Sequence, residues 1–296
     1  MNKSRWIIAG ILTAALAISI VIYSYIQLIQ IPPPVSPRVV KHIFKIKEIY
    51  PTKSGGREWF IDMANPKADK LFDPGSPIYK QPDGSWQIGG KDGSKNEEDQ
   101  VRMKIGTSED ESEWKNVEIT GYAKVLWADS PSDHIDWYAR GGKHSSSVPC
   151  EGSALKGWIS TEGTVSWIKE IWHTGGYTKA RDTHKVTGSI VNRWIGWKVV
   201  MYNINNDKAV KMESYIDDND NNIWKKVSEI VDNGGWFAKS SDIEFYSADC
   251  GRAKDYVITN SGPLVTFRSD NMMWDFSDLS VREIQPPMLL PSSLHK

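Results

Sequence analysis

Residues 193–236 alternate between apolar and polar side chains along three short runs. The runs cover Trp194–Asn203, Val210–Ile216 and Trp224–Val231, and turns rich in Asn and Asp separate them. Asn and Asp tolerate the left-handed backbone angles of tight turns. Because alternation with a period of two is typical of a half-buried strand, this region is predicted to form a three-stranded antiparallel meander.

The same alternation divides the meander into two faces. One face is apolar and should contact the core: Trp197, Val199 and Met201 of the first strand, with Val210, Met212 and Ile216 of the second. The other face carries Lys198, Val200 and Tyr202, with Lys211, Glu213 and Tyr215. We expect Lys198, Tyr202 and Glu213 to line an open, ligand-binding surface.

The remaining chain repeats the strand pattern, and helical periodicity is almost absent after residue 31. Further strands are predicted at Ile43–Tyr50, Trp59–Met63, Val101–Ile105, Trp114–Trp127, Trp137–Gly142, Leu155–Ser160, Val165–His173, Asp182–Ser189, Asp242–Tyr246, Tyr256–Thr259, Leu264–Ser269 and Leu279–Ile284. Residues 65–100, rich in Pro, Gly, Asp and Lys, are predicted to be a long polar loop. Many short strands with turn residues between them indicate an all-β jelly roll, a two-sheet sandwich.

The first 31 residues have a different pattern. An apolar run from Trp6 to Ile31 follows Lys3 and Arg5, and 26 helical residues would span roughly 39 Å, enough to cross a bilayer. Residues 1–31 are therefore predicted to be one transmembrane signal anchor with a cytoplasmic N-terminus. A cleaved signal peptide, with Ala15 and Ala17 at the cleavage site, is the alternative.

This anchor sets the predicted domain organisation and location. Residues 32–42 form a proline-rich linker, residues 43–285 the β-sandwich domain, and residues 286–296 a flexible tail. The domain would be held on the outer side of the cell membrane. In that setting Cys150 and Cys250 are expected to form one disulfide, although two separate buried thiols are the alternative.

Charge and motifs narrow the function classes. The formal net charge of −1 gives no electrostatic footprint for nucleic acid. Phosphate-binding loops, zinc-ligand spacings and nucleophile elbows are absent from the sequence, so no cofactor is predicted. The turn containing Asp218, Asp220 and Asn222 has calcium-ligand spacing, but Ile223 replaces the turn glycine; bound Ca²⁺ and a plain hairpin turn stay open as alternatives.

Three segments resemble known jelly rolls: WKNVEITGYAKV (114–125), KAVKMESYIDDNDNNIWKKV (208–227) and ITNSGPLVTFRSDNMMWDFSDLSVREI (258–284). They resemble the concanavalin-A-like lectin and glucanase superfamily. The strand Lys198-Val-Val-Met-Tyr202-Asn203 is in addition similar to the K-A-G-x-Y-N strand of alginate-lyase-type polysaccharide lyases. That resemblance implies that Tyr202 is a catalytic acid or acid–base in a cleft.

Three functions follow as hypotheses. The first is a cell-surface carbohydrate-binding module, with ligand contacts from Lys198, Tyr202, Glu213, His173, Arg140, Tyr177 and Arg181. The second is a uronate lyase acting by β-elimination, with His173 as base, Tyr202 as acid and Arg140 or Arg181 neutralising the sugar carboxylate. The third is a structural envelope protein without a ligand. A retaining glycosidase is disfavoured because the E-x-D-x-x-E carboxylate motif is missing.

Overall fold

The computed structural model describes residues 46–90, 100–106, 113–142, 152–172, 176–239 and 251–287. Within these residues, fifteen β-strands pair into two antiparallel sheets. The strands are β1 Glu58–Phe60, β2 Phe72–Asp73, β3 Tyr79–Lys80, β4 Trp86–Gly89, β5 Gln100–Ile105, β6 Val117–Ala128, β7 His134–Gly141, β8 Ala154–Ser160, β9 Thr164–Glu170, β10 Arg181–Lys185, β11 Ile195–Ile204, β12 Ala209–Asp217, β13 Lys225–Asp232, β14 Leu264–Asp270 and β15 Met272–Glu283. A 3-10 turn, Pro66–Ala68, follows β1.

The two sheets have eight and seven strands. The eight-stranded sheet has the order β13-β12-β11-β6-β15-β4-β3, and β1 also pairs with β15. The seven-stranded sheet has the order β10-β9-β8-β7-β14-β5-β2. The all-β, two-sheet architecture is therefore confirmed, and its arrangement is consistent with a jelly roll.

One buried core fills the space between the sheets. Trp197, Val199 and Met201 of β11 lie in it, together with Trp137 and Phe267 of the opposite sheet. The sheets approach closely where glycine leaves room. A Cβ atom on Gly157 of β8 would lie 2.8 Å from Cγ2 of Val199 and 2.9 Å from the Trp167 ring.

Polar contacts also join the two sheets, between β9 of one and β13 of the other. Lys169 Nζ donates to Oδ2 of Asp232 at 2.7 Å, and both side chains are fully buried. The Trp167 indole donates to Ser228 Oγ at 2.8 Å, so a second contact joins the same strands. These inward-facing polar groups are satisfied by one another, as buried polar groups must be.

The central meander agrees with the sequence prediction to within one residue at each strand end, and its two faces are assigned correctly. Other predictions were wrong. Residues 46–50 of the predicted first strand, and Tyr256–Thr259, are not strands. The polar excursion at 65–100 instead contains β2, β3 and β4, which pair with β5, β15 and each other.

Several predicted features lie outside the described residues. They are the anchor at 1–31, the linker at 32–42, the strand Asp242–Tyr246, both cysteines, and all but two residues of the tail. Among the residues that are described, no helix has the length and apolar character needed to cross a bilayer.

Gly157→Ala should lower the free energy of unfolding by about 1–3 kcal/mol, because the added methyl group overpacks the space between the sheets. Gly188→Ala is the matched control, since its Cβ would have no neighbour within 4 Å. Urea unfolding of both variants measures the difference. Equal stabilities would contradict the close approach of β8 and β11.

Candidate functional site

Most of the predicted polar face of the meander is buried. Lys198 and Tyr202 are each 1% exposed, and Glu213 is fully buried. The segment 46–52 lies across them: Ile49 and Tyr50 pack on a cluster that contains Val200 and Tyr202. The expectation that these side chains line an open surface was therefore wrong.

Glu118 of β6 holds this covering segment in place. Its Oε2 accepts hydrogen bonds from the backbone N–H groups of Ile49 and Tyr50, at 3.0 and 3.4 Å. Its Oε1 contacts Lys198 Nζ at 2.8 Å and Arg282 Nη2 at 2.9 Å. Burial raises the pKa of Glu118, but the two cations outweigh burial and hold the pKa below its ordinary value. Glu118 is thus ionised at neutral pH.

Glu213 forms a second anchor for the same segment. It accepts hydrogen bonds from the Tyr50 and Tyr215 hydroxyls at 2.8 and 2.7 Å, and from Tyr202 at 3.4 Å. Burial, followed by the hydrogen bond with Tyr50 and the nearby Glu213 carboxylate, raises the pKa of Tyr202. A tyrosine held in this way is a poor catalytic acid–base, so Tyr202 does not match the role implied by the lyase resemblance.

The other predicted site residues do not converge with these. Arg140 occupies an irregularity in the β7–β14 pairing, with a φ of 67°. Its buried guanidinium donates to the side chain of Asn203 and to the carbonyl of Ile258. Arg181 donates to the Gly235 carbonyl at 2.9 Å and stacks on Trp236, while His173 lies outside the described residues.

The predicted calcium ligands make contacts within the protein. Asp218 pairs with Arg193 at 2.8 Å and accepts from the Thr187 hydroxyl. Oδ1 of Asn222 accepts from Trp224 and from the backbone of Lys47. Asp220 and Asn222 have φ values of 51° and 63°, as expected in a tight turn. Within the described ranges, no three His, Cys, Asp or Glu side chains are grouped to hold a metal ion.

A cavity of about 490 Å³ lies on the other sheet. It is on the outer face of the seven-stranded sheet, since its lining residues alternate with the core residues of the same strands. Polar side chains predominate, and Leu71 and Leu264 form apolar parts of the wall. Of the described residues that were predicted to bind ligand, Tyr177 reaches this region, through its hydrogen bond with Lys156.

Strand register arranges the polar side chains of this face in a row. Successive residues of the row are direct cross-strand neighbours: Lys156 of β8, Tyr138 of β7, Thr266 of β14, Lys104 of β5 and Asp73 of β2. Cross-strand neighbours lie about 5 Å apart. The row therefore crosses five strands and presents hydroxyl, ammonium and carboxylate groups at regular spacing.

Lys156 is the most buried charged group of the row, at 3% exposure. Its ammonium group contacts Glu170 at 2.8 Å, donates to the Tyr177 hydroxyl at 3.1 Å and lies 4.9 Å from the centre of the Tyr138 ring. Burial lowers the pKa of Lys156, but Glu170 and the two tyrosines outweigh it and the pKa is raised. Lys156 is therefore a permanent cation and hydrogen-bond donor, and it cannot serve as a base.

Sequence reasoning missed Tyr138, Lys156, Glu170, Thr266 and Lys104. Each of the five strands shows its own polar–apolar alternation, as in Val101-Arg-Met-Lys-Ile105. That alternation could have identified an outer polar face. It could not show which strands are neighbours, because strand order and register depend on contacts between distant parts of the chain.

No protein-family model matches the sequence, and no curated protein matches it either. Solved structures do show similarity. Carbohydrate binding module CBM66 from Bacillus subtilis matches 72% of this chain and 95% of its own, with 9% identity and a TM-score of 0.40. The legume lectin-like domain from Entamoeba histolytica matches 73% and 91%, with 11% identity and a TM-score of 0.42.

A third similar structure is the endo-beta-1,3-glucanase from Pyrococcus furiosus. It matches 70% of this chain and 78% of its own, with 10% identity and a TM-score of 0.40. All three TM-scores are below 0.5, and the fold described above rests on the strand order and pairing of this chain.

Lys198→Met should lower the free energy of unfolding by roughly 3 kcal/mol, because it leaves the buried Glu118 carboxylate short of a partner. The matched control is Lys115→Met, which breaks the exposed Lys115–Asp207 pair and should cost less than about 1 kcal/mol. Chemical denaturation compares the two variants. A Lys198 variant as stable as the control would contradict a structural role for the pair with Glu118.

Proposed function

We propose that this protein binds carbohydrate in the cavity on the outer face of the seven-stranded sheet. The observation that carries the proposal is the row from Lys156 to Asp73, which runs across five strands along the cavity. A volume near 490 Å³ falls in the range of about 300–1,000 Å³ typical of small-ligand sites.

The chemistry of the row suits a sugar. Sugar hydroxyls donate and accept hydrogen bonds, so their site needs both kinds of partner. In the row Lys156 and Lys104 donate, Asp73 accepts, and the hydroxyls of Tyr138 and Thr266 do both; Glu170, which also lines the cavity, is a further acceptor. The Tyr138 ring adds an apolar surface beside these groups, which suits the C–H groups of a pyranose ring.

Binding without catalysis is the function that the geometry supports best. A uronate lyase requires a base, and the described residues that line the cavity include no histidine. Lys156 stays protonated, and Glu170 is committed to it by a 2.8 Å contact. A structural protein without a ligand would bind no member of a polysaccharide panel, whereas a carbohydrate-binding protein would bind at least one.

We also propose that residues 1–31 anchor the protein in the cell membrane and that the β-sandwich faces the outside. This proposal is supported by the apolar run Trp6–Ile31 and the preceding Lys3 and Arg5. A glycan on the cell surface or in the medium would then be the partner.

With residues 1–31 as a membrane anchor, we expect the chain to stay in the membrane pellet after carbonate extraction. An inserted helix is not released from the bilayer at high pH. Protease added to intact cells should degrade the sandwich domain. Replacing residues 6–31 by a cleavable secretion signal gives the control, which should be recovered in soluble form. Recovery of the unaltered chain in the soluble fraction would contradict the anchor.

Tyr138→Ala should weaken binding to the glycan that the wild-type chain selects from a polysaccharide panel by about tenfold or more, because it removes a ring and a hydroxyl from the row. Tyr79→Ala is the control, since Tyr79 is 59% exposed on β3 of the other sheet. Affinity electrophoresis measures both variants. Equal losses of affinity in the two variants would place the site elsewhere. If the wild-type chain bound no polysaccharide of the panel, the proposal would be contradicted.

A further inference from the structure

We infer that the ligand of this cavity is an acidic carbohydrate, whose carboxylate or sulfate group lies against Arg102, Lys104 and Arg268. This inference rests on the proposed carbohydrate binding and adds the chemical class of the sugar. It is argued from the charges on strands β5 and β14.

The first argument is the charge of the cavity wall. Among the described lining residues, five are cationic, Lys70, Arg102, Lys104, Lys156 and Arg268, and two are acidic, Asp73 and Glu170. The whole chain has a formal net charge of −1, so this excess is local. A cleft lined mainly by one sign of charge concentrates ligands of the opposite sign.

The second argument is the position of the two arginines. Arg102 of β5 and Arg268 of β14 are direct cross-strand neighbours on the outer face. Like charges in this arrangement destabilise a sheet. Asp270 and the other cross-strand neighbour of Arg268, Asp136, offset part of this repulsion. A bound anion would compensate Arg102 as well, and guanidinium groups match the planar geometry of carboxylate and sulfate oxygens.

The third argument is how these cations are neutralised. Arg268 is paired with Asp270 on its own strand, through Nε at 3.0 Å and through Nη2. Burial lowers the pKa of Arg268, but the Asp270 carboxylate outweighs burial and raises it. Arg102, in contrast, donates to the neutral amide oxygen of Gln100 at 2.8 Å. Its charge has no ion-pair partner among the described residues.

Lys104 is only loosely compensated. Its ammonium group lies 3.8 Å from Asp73, and both side chains are partly exposed, at 38% and 61%. Such a pair is weak in water, so an anionic ligand can take the place of Asp73 at small cost. Lys156, by contrast, is firmly paired with Glu170. The cavity therefore has one end that suits an anion, around Arg102 and Lys104, and one end that suits sugar hydroxyls, around Lys156 and Tyr138.

The test compares polymers that share a backbone and differ in charge. The full-length chain is titrated with polygalacturonate and its methyl ester, with dextran sulfate and dextran, and with alginate and heparin as further acidic glycans. At least one acidic polymer should bind ten times or more tightly than neutral polymers. Tighter binding of polygalacturonate than of its methyl ester would show that a carboxylate is recognised. Tighter binding of dextran sulfate than of dextran would show that a sulfate is recognised.

Variants locate the anion on the sheet. Arg102→Glu combined with Lys104→Glu should reduce affinity for the preferred acidic polymer by at least tenfold and should flatten its dependence on salt. Lys208→Glu is the matched control, because Lys208 is an exposed turn residue beyond β11 of the other sheet. The affinity of Arg102→Gln is measured as well, because this milder substitution still tests the site if the double Glu variant does not fold.

The outcomes separate this inference from the proposed function. Equal affinity for charged and neutral polymers, or unchanged affinity in both Arg102 variants, overturns the acidic ligand but leaves carbohydrate binding standing. If the chain binds no polymer, neutral glycans included, both the acidic ligand and carbohydrate binding are overturned. Single-stranded DNA that binds as tightly as the acidic glycans would show that charge alone is recognised, and this too would overturn the carbohydrate site.

Discussion

The buried carboxylate of Glu118, with Glu213 as a second anchor, holds the segment that covers one outer face of the sandwich. Glu118 accepts hydrogen bonds from the backbone N–H groups of residues 49 and 50, and it contacts both Lys198 and Arg282. A buried carboxylate without such partners would cost several kcal/mol. The covering segment and the two cations therefore satisfy Glu118 together, and the part of the polar face around Glu118 and Lys198 becomes interior.

The seven-stranded sheet handles its outer polar groups differently. On that face the buried ammonium group of Lys156 pairs with Glu170 on the neighbouring strand, and a cavity lies over the pair. The two faces thus use similar residue types, Lys, Glu and Tyr, for opposite purposes. On one sheet these groups bind a segment of the chain itself, and on the other they line a cavity.

This contrast explains what the sequence could predict. Alternation in β11 and β12 was enough to find the strands and to assign their faces, because the period of two follows directly from backbone geometry. The same alternation could not show what lies above a face. The segment 46–50 carries Ile49 and Tyr50, which gave it the pattern of a strand, but their partners are Glu118 and Glu213, 69 and 163 residues away.

The cavity could not be predicted from the sequence for the same physical reason. Its row joins β8, β7, β14, β5 and β2, so Lys104 and Thr266 become neighbours across more than 150 residues of sequence. Arg140 shows the reverse error. In a regular strand it would share the outer face with Tyr138, and the irregularity at its positive φ turns it towards Asn203 instead. Short-range patterns specify each strand, whereas the chemistry of a jelly-roll face depends on how distant strands are ordered.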